Sequence, residues 1–84
     1  MSKDERNTED WIASLDDVFG AIEDAEPDIS DASDYAGSFK KGPHKNAHLV
    51  DLGEATYTTL IAFKREVSRM KEALQKQLEK EQAE

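Results

Sequence analysis

Histidines, carboxylates and lysines are the side chains of this 84-residue chain that could do chemistry, because it contains no Cys. His44 and His48 stand four residues apart, a spacing that could turn two imidazoles toward a metal from one side of a helix. Pro43 precedes the first of them and no clear third ligand is at hand, so we expect no metal site. The lack of Cys excludes disulfides, thiol catalysis and Cys-based zinc or iron–sulfur sites.

The acidic run DAEPDISDASD, residues 24 to 34, has the composition of a calcium-binding loop but not its order. An EF-hand loop needs acids at alternating positions, Gly at the sixth and Glu at the twelfth, and no register of this run provides them. The sequence also has no Gly-rich phosphate loop, no G-x-S-x-G and no His in an obvious pattern with a nucleophile. We therefore expect no enzyme activity and no cofactor.

The segment KKGPHKNAH, residues 40 to 48, is the basic part of the chain. It has no interleaved aromatic residue and belongs to a chain of net charge -8, so it is expected to neutralise nearby acids rather than to bind nucleic acid directly. No apolar run approaches the roughly 18 residues of a membrane span, and the N-terminus lacks the apolar stretch of a signal peptide. We expect no membrane contact and a cytoplasmic location.

Charge divides the chain into an acidic part, residues 1 to 36 with a net charge of -10, and a remainder of net +2. One interpretation is a solvated face that keeps a small protein soluble. The other is a surface that docks on a basic partner, in its sharpest form by mimicking nucleic-acid phosphates. The candidate partner-binding residues are Asp16, Asp17, Glu23, Asp24, Asp28, Asp31 and Asp34.

The elements that must position these side chains are helices. The chain fits one small domain, with residues 1 to 7 and 81 to 84 expected to be disordered. Apolar residues at steps of three and four predict three helices, over 8–25, 31–41 and 49–80. Pro27 is expected to end the first helix, because proline disfavours helical geometry at the residue before it. The predicted fold is all-α.

The predicted helix lengths lead to a specific architecture. The third helix is nearly twice as long as the first, so the two shorter helices are expected to pack on its first half only. The predicted core joins Trp11, Leu15, Phe19 and Ile22 to Leu52, Leu60 and Phe63. The uncovered second half narrows to one apolar row, which is typical of a coiled coil and indicates a homodimer. Self-association is assigned to Val67, Met70, Leu74 and Leu78.

Two functions follow from these surfaces. The first is a non-enzymatic acidic helical protein-binding module, a small adaptor or inhibitor that docks on a basic partner such as a nucleic-acid-binding protein. The second is a structural or assembly factor that self-associates through its long C-terminal helix, with a monomer whose last helix frays as the remaining alternative. In size, acidity and lack of Cys the chain is similar to phage-encoded inhibitors and assembly factors, which would place it in the cytoplasm of a host cell. This is a likeness of composition that assigns no role to any residue.

Overall fold

The computed structural model describes residues 7–83, which form an antiparallel hairpin of two α-helices. Helix α1 covers Thr8–Ala36, a short 3₁₀ helix covers Gly37–Lys40, and helix α2 covers Ala47–Ala83. The described residues contain no strand, so the all-α prediction is confirmed. Neither helix has the combination of length and apolar character that is needed to span a membrane.

Helix α1 begins at a capping box. The side chain of Asn7 accepts a hydrogen bond from the N–H of Asp10 at 2.9 Å, and the Asp10 carboxylate accepts one from the N–H of Asn7 at 3.3 Å. Asp10 also places negative charge near the positive end of the helix dipole. Asn7 therefore caps α1, and residues 81–83 lie in the last turn of α2. The expectation of disorder for residues 1–6 and for residue 84 lies outside the described residues.

The prediction that Pro27 ends the first helix is wrong. Helix α1 continues through it to Ala36 as one element. A proline inside a helix costs about 3 kcal/mol, partly because it cannot donate a hydrogen bond to the carbonyl four residues earlier, here that of Glu23. Pro27 is exposed, however, so water can solvate this carbonyl. Packing of Ile22 and Ile29 toward α2, on either side of the proline, keeps the helix continuous.

The predicted helix over 31–41 is divided between the end of α1 and the 3₁₀ helix. In the connection that follows, Gly42 has a φ of 102°, a left-handed conformation that favours glycine. Asn46 then starts α2, because its side chain accepts a hydrogen bond from the N–H of Leu49 at 3.0 Å. The predicted third helix is confirmed as a long helix but extends further in both directions.

Helix α1 packs along the whole of α2, and not on its first half alone. At the open end of the hairpin, the Thr8 hydroxyl donates a hydrogen bond to the Glu81 carboxylate at 2.9 Å. Near the connection, a Cβ atom on Gly53 would lie 3.3 Å from the Cα of Ser33, so the two helices approach closely there. Because the helices are antiparallel, the first half of α1 packs on the second half of α2. The predicted core was wrong in pairing that first half with residues 52–63.

The helices bury little between them. Among the described residues, the buried side chains are Ile22, Val50 and Val67, with 4%, 6% and 5% of their surfaces exposed. The predicted core residues Trp11, Leu52 and Phe63 are 37%, 50% and 51% exposed. The molecule measures 66 × 30 × 17 Å, so its smallest dimension exceeds one helix with its side chains by only a few ångströms. It is a single layer of two helices with two broad faces.

Candidate protein-binding surfaces

On one broad face, two lysines of α2 reach carboxylates of α1. The Nζ atom of Lys64 lies 2.9 Å from Glu26 Oε1 and 3.9 Å from Glu23 Oε2. Lys71 forms a second ion pair with Asp16. We call the surface formed by these five residues the ion-pair face. Its ion pairs connect the helices at two positions along the hairpin, so they show which residues of α1 lie opposite which residues of α2.

Lys64 is the cation with the most contacts on the ion-pair face. Its ammonium donates a hydrogen bond to Glu26 and lies 5.5 Å from the centroid of the Phe19 ring. The hydrogen bond raises the pKa of Lys64 above its ordinary value of 10.5; partial desolvation opposes this change, and the charges of Glu26 and Glu23 add to it. Lys64 is therefore a cation at neutral pH, and with Lys71 it offsets two of the three carboxylate charges on the ion-pair face.

The predicted partner-binding carboxylates do not lie on one surface. Asp16 and Glu23 belong to the ion-pair face, where lysines of α2 compensate their charges, although both side chains stay about half exposed at 52% and 55%. Asp34 is exposed and lies on the same side of α1 by helical spacing. These three residues are therefore separated from the remaining four.

The other four carboxylates form a row on the outer side of α1, which faces away from α2. Asp17, Asp24 and Asp31 recur every seven residues, and Asp28 lies between the last two on the same side. All four are exposed, and none forms an ion pair with another residue in 7–83. We call this set the outer acidic row. The structure thus brings together four of the seven predicted residues.

The predicted self-association residues lie mostly between the two helices of one chain. Val67 is buried, and Leu74 and Leu78 are half-buried where the first half of α1 covers them. Met70 alone among the four is exposed, at 47%. A coiled coil was predicted here because no other part of the chain was expected to cover residues 67–78. Helix α1 covers most of them, so that reason no longer applies.

The broad face opposite the ion pairs is apolar. A groove of about 370 Å³ lies between the helices and is lined by residues that include Ile29, Leu52, Ala55, Thr56, Thr59 and Phe63. It continues toward the connection past Ala32 and Leu49. No charged side chain among the described residues lines either part. We call this surface, together with the exposed Met70 further along α2, the apolar face.

Sequence reasoning missed the apolar face because it assigned Leu52 and Phe63 to the core. A usable signal was present in the width of the apolar surface of α2 between residues 49 and 63. One partner helix covers only about a third of a helix circumference, so a wider surface stays partly uncovered. The side chains that make this surface wide, such as Leu52 and Phe63, lie beyond the strip that α1 covers.

The basic segment forms the exposed connection between the helices. Lys40 and Lys45 border a shallow depression together with Asp51 and Glu54 of α2. This arrangement places the lysines beside acids of the same chain. Both histidines are exposed, and no three His, Asp or Glu side chains in residues 7–83 are grouped to hold a metal ion.

A local ion pair lies on the polar side of α2. Arg69 donates two hydrogen bonds to the carboxylate of Glu66, three residues earlier in the helix. The bonds and the charge of Arg69 lower the pKa of Glu66, and the same contact raises that of Arg69. Both side chains are well exposed, so the pair contributes little to the packing of the hairpin.

Comparison of the chain with protein-family models, with curated proteins and with solved structures gave no significant match in any of the three. Its surfaces are therefore interpreted from their own chemistry.

Proposed function

We propose that this protein is a non-enzymatic protein-binding module whose acidic helix α1 docks on a basic surface of a partner protein. Such a module acts as a small adaptor or inhibitor, because it occupies a surface of its partner and performs no reaction. The observation that supports this proposal is the outer acidic row, four exposed carboxylates with no ion pair among the described residues.

The charge of the two helices differs sharply. Helix α1 contains ten acidic residues and no basic residue, whereas α2 contains six of each. Like charges on one small element repel each other and lower its stability. Lys64 and Lys71 compensate only the acids that face them, which leaves the outer acidic row for a partner. A basic partner would be attracted at long range, so association would be fast and would slow as salt is added.

The spacing of the acids also supports competition with nucleic acid for a shared basic groove. Ten carboxylates along a helix of 29 residues, about 43 Å at 1.5 Å per residue, give one charge per roughly 4 Å. One strand of duplex DNA carries one phosphate per about 3.4 Å. Lys64 and Lys71 offset two of these ten charges, so the effective charge density is about 60% of that of one DNA strand. A groove built for phosphates is therefore a suitable target.

The test compares two variants that remove the same number of charges from different helices. The first replaces Asp17, Asp24, Asp28 and Asp31 by Asn. The matched control replaces Asp51 and Glu54, together with Glu72 and Glu79, by Asn or Gln on α2. Proteins retained from a cell extract by the immobilised wild-type chain are identified, and their association rates with all three chains are measured at low and high salt.

The α1 variant should bind more slowly and lose most of its salt dependence, whereas the α2 control should keep both. Exposed ion pairs contribute up to about 1 kcal/mol each, so four substitutions should weaken binding by no more than about 4 kcal/mol. Displacement of the partner by a duplex oligonucleotide would identify the site as a nucleic-acid groove. Equal binding by the two variants would leave the acids of α1 as a solubility device.

A further inference from the structure

We propose that the apolar face is the contact surface of a homodimer, in which a second copy of the chain packs face to face and completes a four-helix bundle. This inference concerns a different partner from the acidic docking function and, except for Asp28 at the boundary between the two surfaces, different residues. It also differs from a coiled coil through residues 67–78, most of which α1 already covers.

The surface area of the chain is larger than a monomer of this size should expose. The accessible surface is 6570 Å², against about 5,000 Å² for a typical folded monomer of 9.4 kDa. This excess of roughly 1,500 Å² is spread over the whole elongated chain, and a standard interface would remove about 800 Å² of it from each copy. A single layer of helices has no second layer against which to bury its apolar side chains. A second copy would provide that layer.

The composition of the apolar face favours a copy of itself over a basic protein. Its charge-free groove offers a cation no counter-charge, so a basic docking surface would lose solvation there without compensation. Its two sides differ in size, with the large side chains of Leu52, Phe63 and Met70 on α2. By helical spacing, the neighbouring side of α1 presents the small side chains of Ala21 and Ala25, with Asp28 of the outer acidic row at its edge. The large side chains on α2 of each copy can therefore pack against the small side chains on α1 of the other copy.

Charge selects the orientation of the two copies. If α1 packed on α1 of the partner, two helices that each carry ten acids and no basic residue would lie side by side. If α1 packs on α2 of the partner, it meets a helix with equal numbers of acids and bases. The second arrangement requires a twofold axis parallel to the helices. Rotation about this axis leaves the position of each residue along the helix direction, its height, unchanged, so equivalent residues of the two copies lie at the same height. Neighbouring helices are then antiparallel throughout, as in many four-helix bundles.

The register of the hairpin then places specific residues together. Within one chain, Asp16 pairs with Lys71 and Glu23 with Lys64, so positions whose numbers sum to about 87 share a height. Since the axis preserves height, Phe63 would stand between the heights of the partner's Ala21 and the partner's Ala25. Thr56 would likewise face the partner's Ala32.

Two adjacent threonines provide the decisive test. Thr59 lines the groove of the apolar face, whereas Thr58, also exposed, lies on the outer side of α2. Thr59→Glu and Thr58→Glu therefore add the same charge to the same helix, one inside the proposed interface and one outside it. Molecular mass is measured by light scattering and sedimentation from low to high micromolar concentration, with helicity measured by circular dichroism.

The wild-type chain and Thr58→Glu should be dimers. Thr59→Glu should raise the dimer dissociation constant by at least about 100-fold, because a carboxylate would be desolvated in each half of the interface. A wild-type chain that stays monomeric throughout, or variants with equal dissociation constants, would overturn the proposal.

Orientation is tested by mixing two single-cysteine chains, Ala32→Cys and Thr56→Cys, under mild oxidation. The chain has no native Cys, so each bond that forms reports an intermolecular contact. The mixed disulfide should dominate, as identified by intact mass. Disulfides only between identical chains, or cross-linking no faster than between two copies of Thr58→Cys, would contradict the packing of α1 on α2 of the partner. This measurement also decides the question if Thr59→Glu fails to fold.

Discussion

The ion-pair face and the apolar face are built from the same two helices, yet one is complete within the chain and the other is not. On the ion-pair face, Lys64 and Lys71 meet carboxylates of α1, so most of the charge is compensated within one chain. On the apolar face, Leu52 and Phe63 stay about half exposed. The difference shows that a two-helix layer can satisfy its polar contacts alone but cannot bury all of its apolar surface.

The largest expected loss of stability is at the buried contact between the two helices. Ile22→Ala should lower the free energy of unfolding by about 2 to 5 kcal/mol, because Ile22 is 4% exposed and its truncation leaves a cavity between the helices. Chemical denaturation followed by circular dichroism measures the loss, which should be similar at low and high protein concentration. An unchanged midpoint would show that the helices do not pack at this residue.

The second prediction compares substitutions on the two faces by how their cost in stability depends on protein concentration. Phe63→Ala should cost about 1 to 2 kcal/mol per chain where the wild type is dimeric, because the exposed half of this ring is buried only by the second copy. At concentrations where the wild type is monomeric the cost should be smaller. Ile61→Ala, on the side of α2 that carries Lys64, is the control, and its cost should not depend on concentration. The same concentration dependence for both variants would remove the distinction between the faces.

The third prediction compares two glycines to locate the contact between the helices. Gly20→Ala should raise the free energy of unfolding by about 1 kcal/mol, because a Cβ there meets nothing within 4 Å and alanine favours the helix. Gly53→Ala should gain less or destabilise, since its Cβ would lie 3.3 Å from the Ser33 backbone. Thermal denaturation of both variants measures the difference. An equal gain for both would mean that the helices are further apart near the connection.

The smallest effect concerns the pH dependence of the ion-pair face. The pKa of Lys64 is raised in the folded chain, so its charge stabilises the fold fully below the ordinary value of 10.5 and loses this effect as pH rises through the folded pKa. The stability difference between the wild type and Lys64→Met should therefore shrink in strongly alkaline solution. The control Lys76→Met, an exposed lysine with no ion pair among the described residues, should show no such change. A constant difference for Lys64→Met would exclude the ion pair as a stabilising contact.

Sequence reasoning predicted the type of the elements better than their connections. The spacing of apolar residues predicts helices correctly, because a period of 3.6 depends only on neighbouring positions. The end of the first helix was wrong because Pro27 has a local cost, whereas the contacts of Ile22 and Ile29 with α2 that offset it are non-local. Helix propensity is a weak guide wherever such packing is available.

That one error at Pro27 changed the candidate surfaces. Two short helices over 8–25 and 31–41 were expected to pack together on the first half of α2, which left Leu78 and the rest of its second half uncovered and available for self-association. With α1 running to Ala36, Val67 becomes core and the uncovered surface moves to Leu52 and Phe63. The outer acidic row depends on the same continuity, because only an uninterrupted helix places Asp28 and Asp31 on the same side as Asp17 and Asp24.

The hydrogen bond between Thr8 and Glu81 joins residues 73 positions apart, whereas Ser33 and Gly53 meet across only 20. Closing a longer loop costs more chain entropy, so we expect the hairpin to form first beside its connection and to propagate toward its open end. During synthesis, the beginning of α1 leaves the ribosome long before residues 77–81 exist to pair with it. Trp11, 37% exposed and close to that open end, would be among the last side chains to be covered. Its fluorescence should therefore report completion of the hairpin, and not the start of folding.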